Sequence, residues 1–281
     1  MKIKRIIAAV TALMFIGGTY QSVSAKTSKY ITTFAAETVE ATSITEKGVR
    51  YNVYGDYATV VEVNGEIGCE ILIADEMDGK LVTAIEKGAF DAVKDKVKSV
   101  TLGNNIQAVN ERTFYEFSEL TTVKFGDSVE TIGNCAFAYC PKLESVTFGK
   151  NLTTIEKCAF FSCPSLVSLE YPDNLIFIDD FAFEMCTGIS KVKFGKNLVR
   201  LGNCVFKDSS NITEVDLGEK LEYIGSAVFS GENLRCLVIP EKVKIIGQNG
   251  CPLYFRFSLK NRDTAIVIEN PECKIDDYIT Y

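Results

Sequence analysis

Seven phenylalanines, Phe90, Phe114, Phe137, Phe160, Phe183, Phe206 and Phe229, recur at intervals of 23 or 24 residues. This period limits the fold more than any other feature, because a fixed interval of about 20–50 residues means one supersecondary unit stacked on the next. A second ladder runs in step with the first. Val82, Ile106, Val129, Leu152, Leu175, Leu198, Leu221 and Val243 are each followed three residues later by Ile85, Val109, Ile132, Ile155, Ile178, Leu201, Ile224 and Ile246.

A third ladder sets the architecture. Leu143-x-x-Val146-x-Phe148-x-x-Asn151, Leu166-x-x-Leu169-x-Tyr171-x-x-Asn174 and Ile189-x-x-Val192-x-Phe194-x-x-Asn197 share one spacing, and Val97 to Asn105 fits it too. Alternation in the V-x-F core of the pattern points two apolar side chains inward from a strand, and the Gly-Lys or Pro-Asp that follows turns the chain. After the turn, Leu152 to Cys163 places apolar residues three, four or five apart, which fits an extended piece and then a helical turn. One coil cannot bury its own Leu, Val and Phe, whereas seven or so stacked coils share a continuous core. Outside the period, Tyr51-x-Val53, Val61-x-Val63 with a hairpin signal at Asn64-Gly65, and Ile71-Leu72-Ile73 read as strands of an N-terminal cap. Phe255-x-Phe257-x-Leu259 and Ala265-x-Val267 read as irregular strands closing the other end.

The third ladder is the leucine-rich-repeat strand signature. The whole unit adds Ala-Phe in the presumed helical turn, Cys three residues after Phe in several coils, and an apolar-Gly pair before it (Ile132-Gly133, Leu201-Gly202, Ile224-Gly225, Ile246-Gly247). In these features, and in Asp78-Gly79-Lys80 followed by Val82-Thr83, Ile85 and Ala89-Phe90, it resembles the BspA-like leucine-rich-repeat family of bacterial surface proteins. Ala84-Ile85-Glu86 departs from that pattern by lacking the Gly. The expected fold is an α/β leucine-rich repeat solenoid: a single parallel sheet with one strand per 23-residue coil, short helical turns opposite, and irregular β caps. Members of the family are associated with adhesion to host or matrix proteins and to other cells, so the resemblance implies a binding role.

Residues 1–25 carry Lys2, Lys4 and Arg5, an apolar run from Ile6 to Ile16 and small residues up to Ala25, the make-up of a secretory signal. Residues 26–48 follow as a linker, 49–81 as the N-terminal cap, 82–246 as the leucine-rich repeats and 247–281 as the C-terminal cap. The mature chain is therefore expected to be secreted or held at the cell surface, without stable membrane insertion after cleavage. The formal net charge of −7 argues against nucleic acid as a partner, since duplex affinity depends on basic groups displacing counterions. The chain has no His, which removes imidazole as acid, base and metal ligand and leaves any enzyme to work with carboxylates, Lys, Tyr or Cys.

Ten Cys remain. Cys140, Cys163 and Cys186 share a repeat position with Val93 and Phe117 and read as buried thiols; Cys135, Cys158 and Cys204 share another with Gly88, Arg112, Phe181 and Ala227. Disulfides are the alternative in an exported chain, and a metal or redox site is disfavoured without His or a C-x-x-C pair. The expected ligand-binding surface is the outward row of the strands: Ser99, Thr101, Thr122, Lys124, Ser145, Thr147, Ser168, Glu170, Lys191, Lys193, Glu214 and Asp216. Aromatics are absent from it, and Lys191 beside Glu214 equally fits cross-strand pairing that merely keeps the face solvated. The function expected is a non-enzymatic binding module without cofactors, engaging an extracellular protein or glycoprotein in adhesion. A structural or self-assembling surface component is the first alternative and a carboxylate-based hydrolase the second.

Overall fold

The computed structural model describes residues 41–65, 67–229, 234, 236–247 and 265–275. The expected signal segment, the linker up to residue 40 and Phe255 to Leu259 lie outside them. The repeats form a β-solenoid whose coils contribute strands to two parallel sheets, so the expectation of a single sheet is corrected. In the front sheet Glu70–Leu72, Ser99–Thr101, Thr122–Lys124, Ser145–Thr147 and Ser168–Leu169 lie side by side. Lys191–Lys193 with Glu214–Asp216, and Cys236–Ile239 with Ala265–Ile268, continue this ladder as separate pairs. The side sheet has eight strands: Ala108–Val109, Thr131–Ile132, Thr154–Ile155, Phe177–Ile178, Arg200–Leu201, Tyr223–Ile224, Ile245–Ile246 and Lys274–Ile275. Each of these eight strands is only two residues long, too short to show alternation in sequence.

The core is what the ladders demand. The rings of the seven phenylalanines form one column, with centroid separations rising from 4.8 Å at Phe90–Phe114 through 5.1 Å at Phe137–Phe160 and Phe160–Phe183 to 5.6 Å at Phe206–Phe229. The aromatics of the front strands, Phe125, Phe148 and Tyr171, meet this column edge-on at 5.7–6.1 Å. Such edge-to-face contacts match the positive rim of one ring to the negative face of another. After each front strand the coils approach closely enough that a Cβ on Gly126 or Gly149 would lie 2.2 or 2.1 Å from the carbonyl oxygen of the preceding coil's glycine. Glycine there is a packing requirement.

The expected helical turns do not form among the described residues. Among the described residues the one helical piece is the 3₁₀ turn Asp91–Val93. At the expected helix position five coils carry two left-handed residues each: Arg112 and Glu116, Cys135 and Tyr139, Cys158 and Ser162, Phe181 and Met185, Cys204 and Asp208. In the coil of Cys135 their backbone N–H groups, with that of the Phe between them, donate to the next coil: Cys135 to Lys157 at 3.0 Å, Phe137 to Ala159 at 2.7 Å and Tyr139 to Phe161 at 2.8 Å. Donors committed across coils cannot form the bonds to residue i−4 that a helix requires. The third face is therefore a hydrogen-bonded ladder of turns, and the fold is β rather than α/β.

At the N-terminus Thr42–Glu46, Val49–Val53, Tyr57–Val63, Lys80–Ile85 and Glu76–Met77 form a mixed five-stranded sheet. A strand thus occupies part of the segment expected to be linker. Two of its hairpins turn on two residues, Lys47-Gly48 and Asp78-Gly79, both residues of each having positive φ, and a third turns through residues 54–56. Asn64-Gly65 makes no hairpin: the chain passes there from this sheet to Glu70–Leu72 of the front sheet. Beyond Ile246 two described strands continue the two sheets, though not at the 23-residue interval. Ala265–Ile268 and Lys274–Ile275 pair in parallel with strands 29 residues earlier, as Ser99–Thr101 does with Glu70–Leu72.

Candidate functional site

The front-sheet register brings the expected surface residues together. Ser99, Thr122, Ser145 and Ser168 stand in one row and Thr101, Lys124 and Thr147 in the next, while Lys191 pairs with Glu214 and Lys193 with Asp216. Ser99 and Thr101 are half-buried; Thr122, Lys124, Ser145, Thr147, Glu170, Lys191, Lys193, Glu214 and Asp216 are exposed. Lys191 and Glu214 form an ion pair at 2.9 Å with both side chains two-thirds exposed. Such a pair contributes only about 0–1 kcal/mol, so it orders the face more than it stabilises the fold.

Ion pairs between successive coils are a general device of this surface. Lys142 bonds Glu119 at 2.6 Å, Lys150 bonds Asp127 at 2.8 Å and Lys196 bonds Asp173 at 3.0 Å, each 23 residues apart. Hydrogen bonds from Lys150 and Lys196 hold the carboxyls of Asp127 and Asp173 below the usual carboxylate range. Lys207 is part-buried against the largely buried Glu184 at 2.7 Å; burial alone would lower its basicity, but the bonds to Glu184 and Asp208 outweigh it and raise it.

The first Cys column has no surface role. Cys140, Cys163 and Cys186 are fully buried free thiols, and each Sγ donates to the carbonyl of a phenylalanine 26 residues earlier, at 3.1–3.2 Å. Ser209 replaces them one coil on and donates to Phe183 O at 2.9 Å, so a hydroxyl serves in place of the thiol there, while Val93 and Phe117 fill the position in the first coils. Cys135, Cys158 and Cys204 occupy the left-handed column that Gly88 also fills. Desolvation raises the Cys158 thiol to about 11, away from the range of a reactive thiolate. Among the described residues no group of three or more acidic or sulfur side chains is placed to hold a metal.

Two aromatic clusters lie outside the surface expected from the strands. On the third face Tyr115, Tyr139 and Phe161 pack edge to face at 5.7 and 5.3 Å with Arg112 over Tyr115 at 5.0 Å, and Tyr139 is 45% exposed. On the side sheet, Phe177, Arg200 and Tyr223 stand in one register. The Arg200 guanidinium lies 5.5 Å from the Phe177 ring and 4.6 Å from the Tyr223 ring, with Ile176 47% exposed alongside. Sequence reasoning misses both because it assigns one strand per coil and counts the outward positions of that strand alone.

Two half-buried carboxylates lie at the junction of the side sheet and the third face. Glu156 and Asp179 stand where neighbouring coils have Gly133 and Gly202, and desolvation raises both above the usual range. A backbone N–H bond opposes the rise in each: Glu156 accepts from Asn134 at 3.0 Å and Asp179 from Asp180 at 2.7 Å. The first bond joins neighbouring coils, and the second is local to its own turn.

Stacked parallel coils with this strand signature define a leucine-rich repeat solenoid. The model for the BspA type leucine rich repeat region matches residues 83–207 and 130–251, with six copies. The chain belongs to that family. Its fold is similar to that of a T. pallidum leucine-rich repeat protein, at 21% identity and a TM-score of 0.51 over 73% of this chain and 82% of the other. A leucine-rich repeat protein from Bacteroides ovatus is 19% identical over 82% of this chain and 68% of its own, with a TM-score of 0.49. A leucine rich cell surface protein from Faecalibacterium prausnitzii is 16% identical over 82% and 96%, with a TM-score of 0.33. No curated protein matches the sequence. Among the described residues no helix is long and apolar enough to cross a membrane.

Proposed function

We propose that the chain is an exported, non-enzymatic binding module that engages an extracellular protein or glycoprotein through the outward faces of its solenoid, in adhesion. The observation that supports this most is the register itself: each coil sets one or two side chains beside those of its neighbours, so a flat ligand meets several coils at once. Membership of a leucine-rich repeat family agrees with a binding role. The apolar signal segment and the absence of imidazole from the whole chain point the same way.

Purified protein spanning residues 26–281 is tested against a panel of extracellular matrix proteins and glycoproteins by surface plasmon resonance. A front-face site predicts that the double variant Lys191→Glu/Lys193→Glu weakens or redirects binding, because it joins Glu170, Glu214 and Asp216 in one acidic patch. Binding unchanged in that variant and in Thr122→Trp/Thr147→Trp, with circular dichroism unchanged in both, excludes the front face. Association of the chain with itself and with no panel member supports a structural role instead.

A further inference from the structure

The side sheet carries a feature that the front sheet lacks. On the front, Lys191 has a carboxylate partner, Lys124 and Lys193 have none within 4.0 Å among the described residues, and no front-row cation lies over an aromatic ring; elsewhere Lys142, Lys150, Lys196, Lys207 and Lys244 are bonded to acidic side chains. Arg200 has none within 4.0 Å among the described residues. Its guanidinium is instead flanked by the rings of Phe177 and Tyr223, one coil to either side, which restrict it without using its N–H donors in ion pairs. An arginine so placed presents a planar fork that fits a carboxylate through two parallel bonds. Around it Ile176 is exposed and Val199 and Ile245 are partly so. Aromatic and arginine side chains within an apolar surround are the composition of an interface anchor.

We propose that Phe177, Arg200 and Tyr223 form a docking point on the side sheet for a polypeptide partner that supplies one Asp or Glu flanked by apolar side chains. The charge around Arg200 favours this occupant over a polyanion. Asp179 and Asp180 lie close enough to act on Arg200 and Tyr223, and the whole chain is net negative. A sulfated glycan or nucleic acid is repelled by that field, while a single carboxylate set among aliphatic groups meets one cation and the aliphatic side chains of Ile176, Val199 and Ile245. The proposal deepens the binding-module reading by naming a face and the chemistry of the partner.

Two blocked pentapeptides, acetyl-Ala-Leu-Glu-Leu-Ala-amide and its Gln counterpart, are titrated into the ¹⁵N-labelled mature chain, with the Arg200 Nε–Hε signal assigned from Arg200→Lys. The expected result is a shift of that signal and of the Arg200, Leu201, Tyr223 and Ile224 amides, with the Glu peptide binding at least about tenfold more tightly than the Gln peptide. Arg200→Gln should abolish the preference, and Lys191→Gln/Lys193→Gln should leave it intact. Equal affinity for the two peptides, a preference that survives Arg200→Gln, shifts confined to the front rows, or no shift up to about 10 mM peptide each overturns the proposal. Peptide selectivity at Arg200 in a chain that binds nothing in the extracellular panel supports the site while removing the adhesive reading. A panel ligand that depends on Lys191 and Lys193, with no peptide preference at Arg200, does the reverse.

Discussion

Truncating Phe160 tests the central column of the solenoid. The ring is fully buried, stacks on Phe137 and Phe183 at 5.1 Å with interplanar angles of 4° and 3°, and meets the edge of Phe148 at 6.1 Å. Removing a buried Phe side chain costs about 3–5 kcal/mol, from lost transfer free energy and the cavity left behind. Aromatic pairs add about 0.5–1.5 kcal/mol each beyond burial, so three partners place Phe160→Ala at the upper end, about 4–5 kcal/mol. Phe90, with one ring partner among the described residues, belongs about 1–2 kcal/mol lower. A double-mutant cycle isolates the stacking: Phe160 and Phe183 should couple by about 0.5–1.5 kcal/mol, and Phe114 and Phe183, which share no ring partner, by nearly nothing. The chain has no Trp, so urea unfolding is followed by far-ultraviolet circular dichroism, with the m-value compared across variants to confirm that the unfolding unit is unchanged. A cost below about 2 kcal/mol at Phe160, or equal coupling in both cycles, would refute the stacked column as a source of stability.

Other consequences follow from single positions. The Tyr171 hydroxyl is buried without a hydrogen-bond partner among the described residues, so Tyr171→Phe should be neutral or stabilising by about 1 kcal/mol in the same urea assay. Cys140, Cys163 and Cys186 should label with a maleimide only under denaturing conditions, and mass spectrometry showing a bridge among them in the native protein would contradict the structure. Ser162 has φ of 56°, where a β-branched residue fits badly, so Ser162→Val should cost about 1–2 kcal/mol while Ser162→Gly is tolerated. Desolvation raises Glu156 and Asp179 in the folded state, so protonation favours folding and their contribution is lost as pH rises through the raised values. Glu156→Gln and Asp179→Asn should accordingly raise the melting temperature at neutral pH, and the gain should shrink as pH falls through that range. Asp127 and Asp173 have lowered values, so their contribution is present at neutral pH and lost in acid; Asp127→Asn should lower the neutral melting temperature and have no effect at low pH.

The inward side of this molecule is legible in its sequence because every coil solves the same packing problem. Phe137, Phe160 and Phe183 must recur since each ring is the next ring's neighbour, and Cys140, Cys163 and Cys186 recur because the same carbonyl waits in each coil. The turn ladder is half-legible. Apolar spacings of three, four and five suggest a helix, yet Gly88 in the column of Cys135 and Cys158 is the mark of a left-handed position, and the backbone of all three has positive φ. The side sheet is nearly invisible, since Thr154–Ile155 shows one residue in and one out, which no periodicity can register. Its outward column reads Ala108, Thr131, Thr154, Phe177, Arg200, Tyr223, Ile245 and Lys274, small in the first three coils and aromatic, aliphatic or basic in the later ones. A repeat reports what its coils have in common, the burial and the stacking. Recognition depends on where they differ, so the Phe177–Arg200–Tyr223 stack emerges only when coil register sets three unlike side chains next to one another.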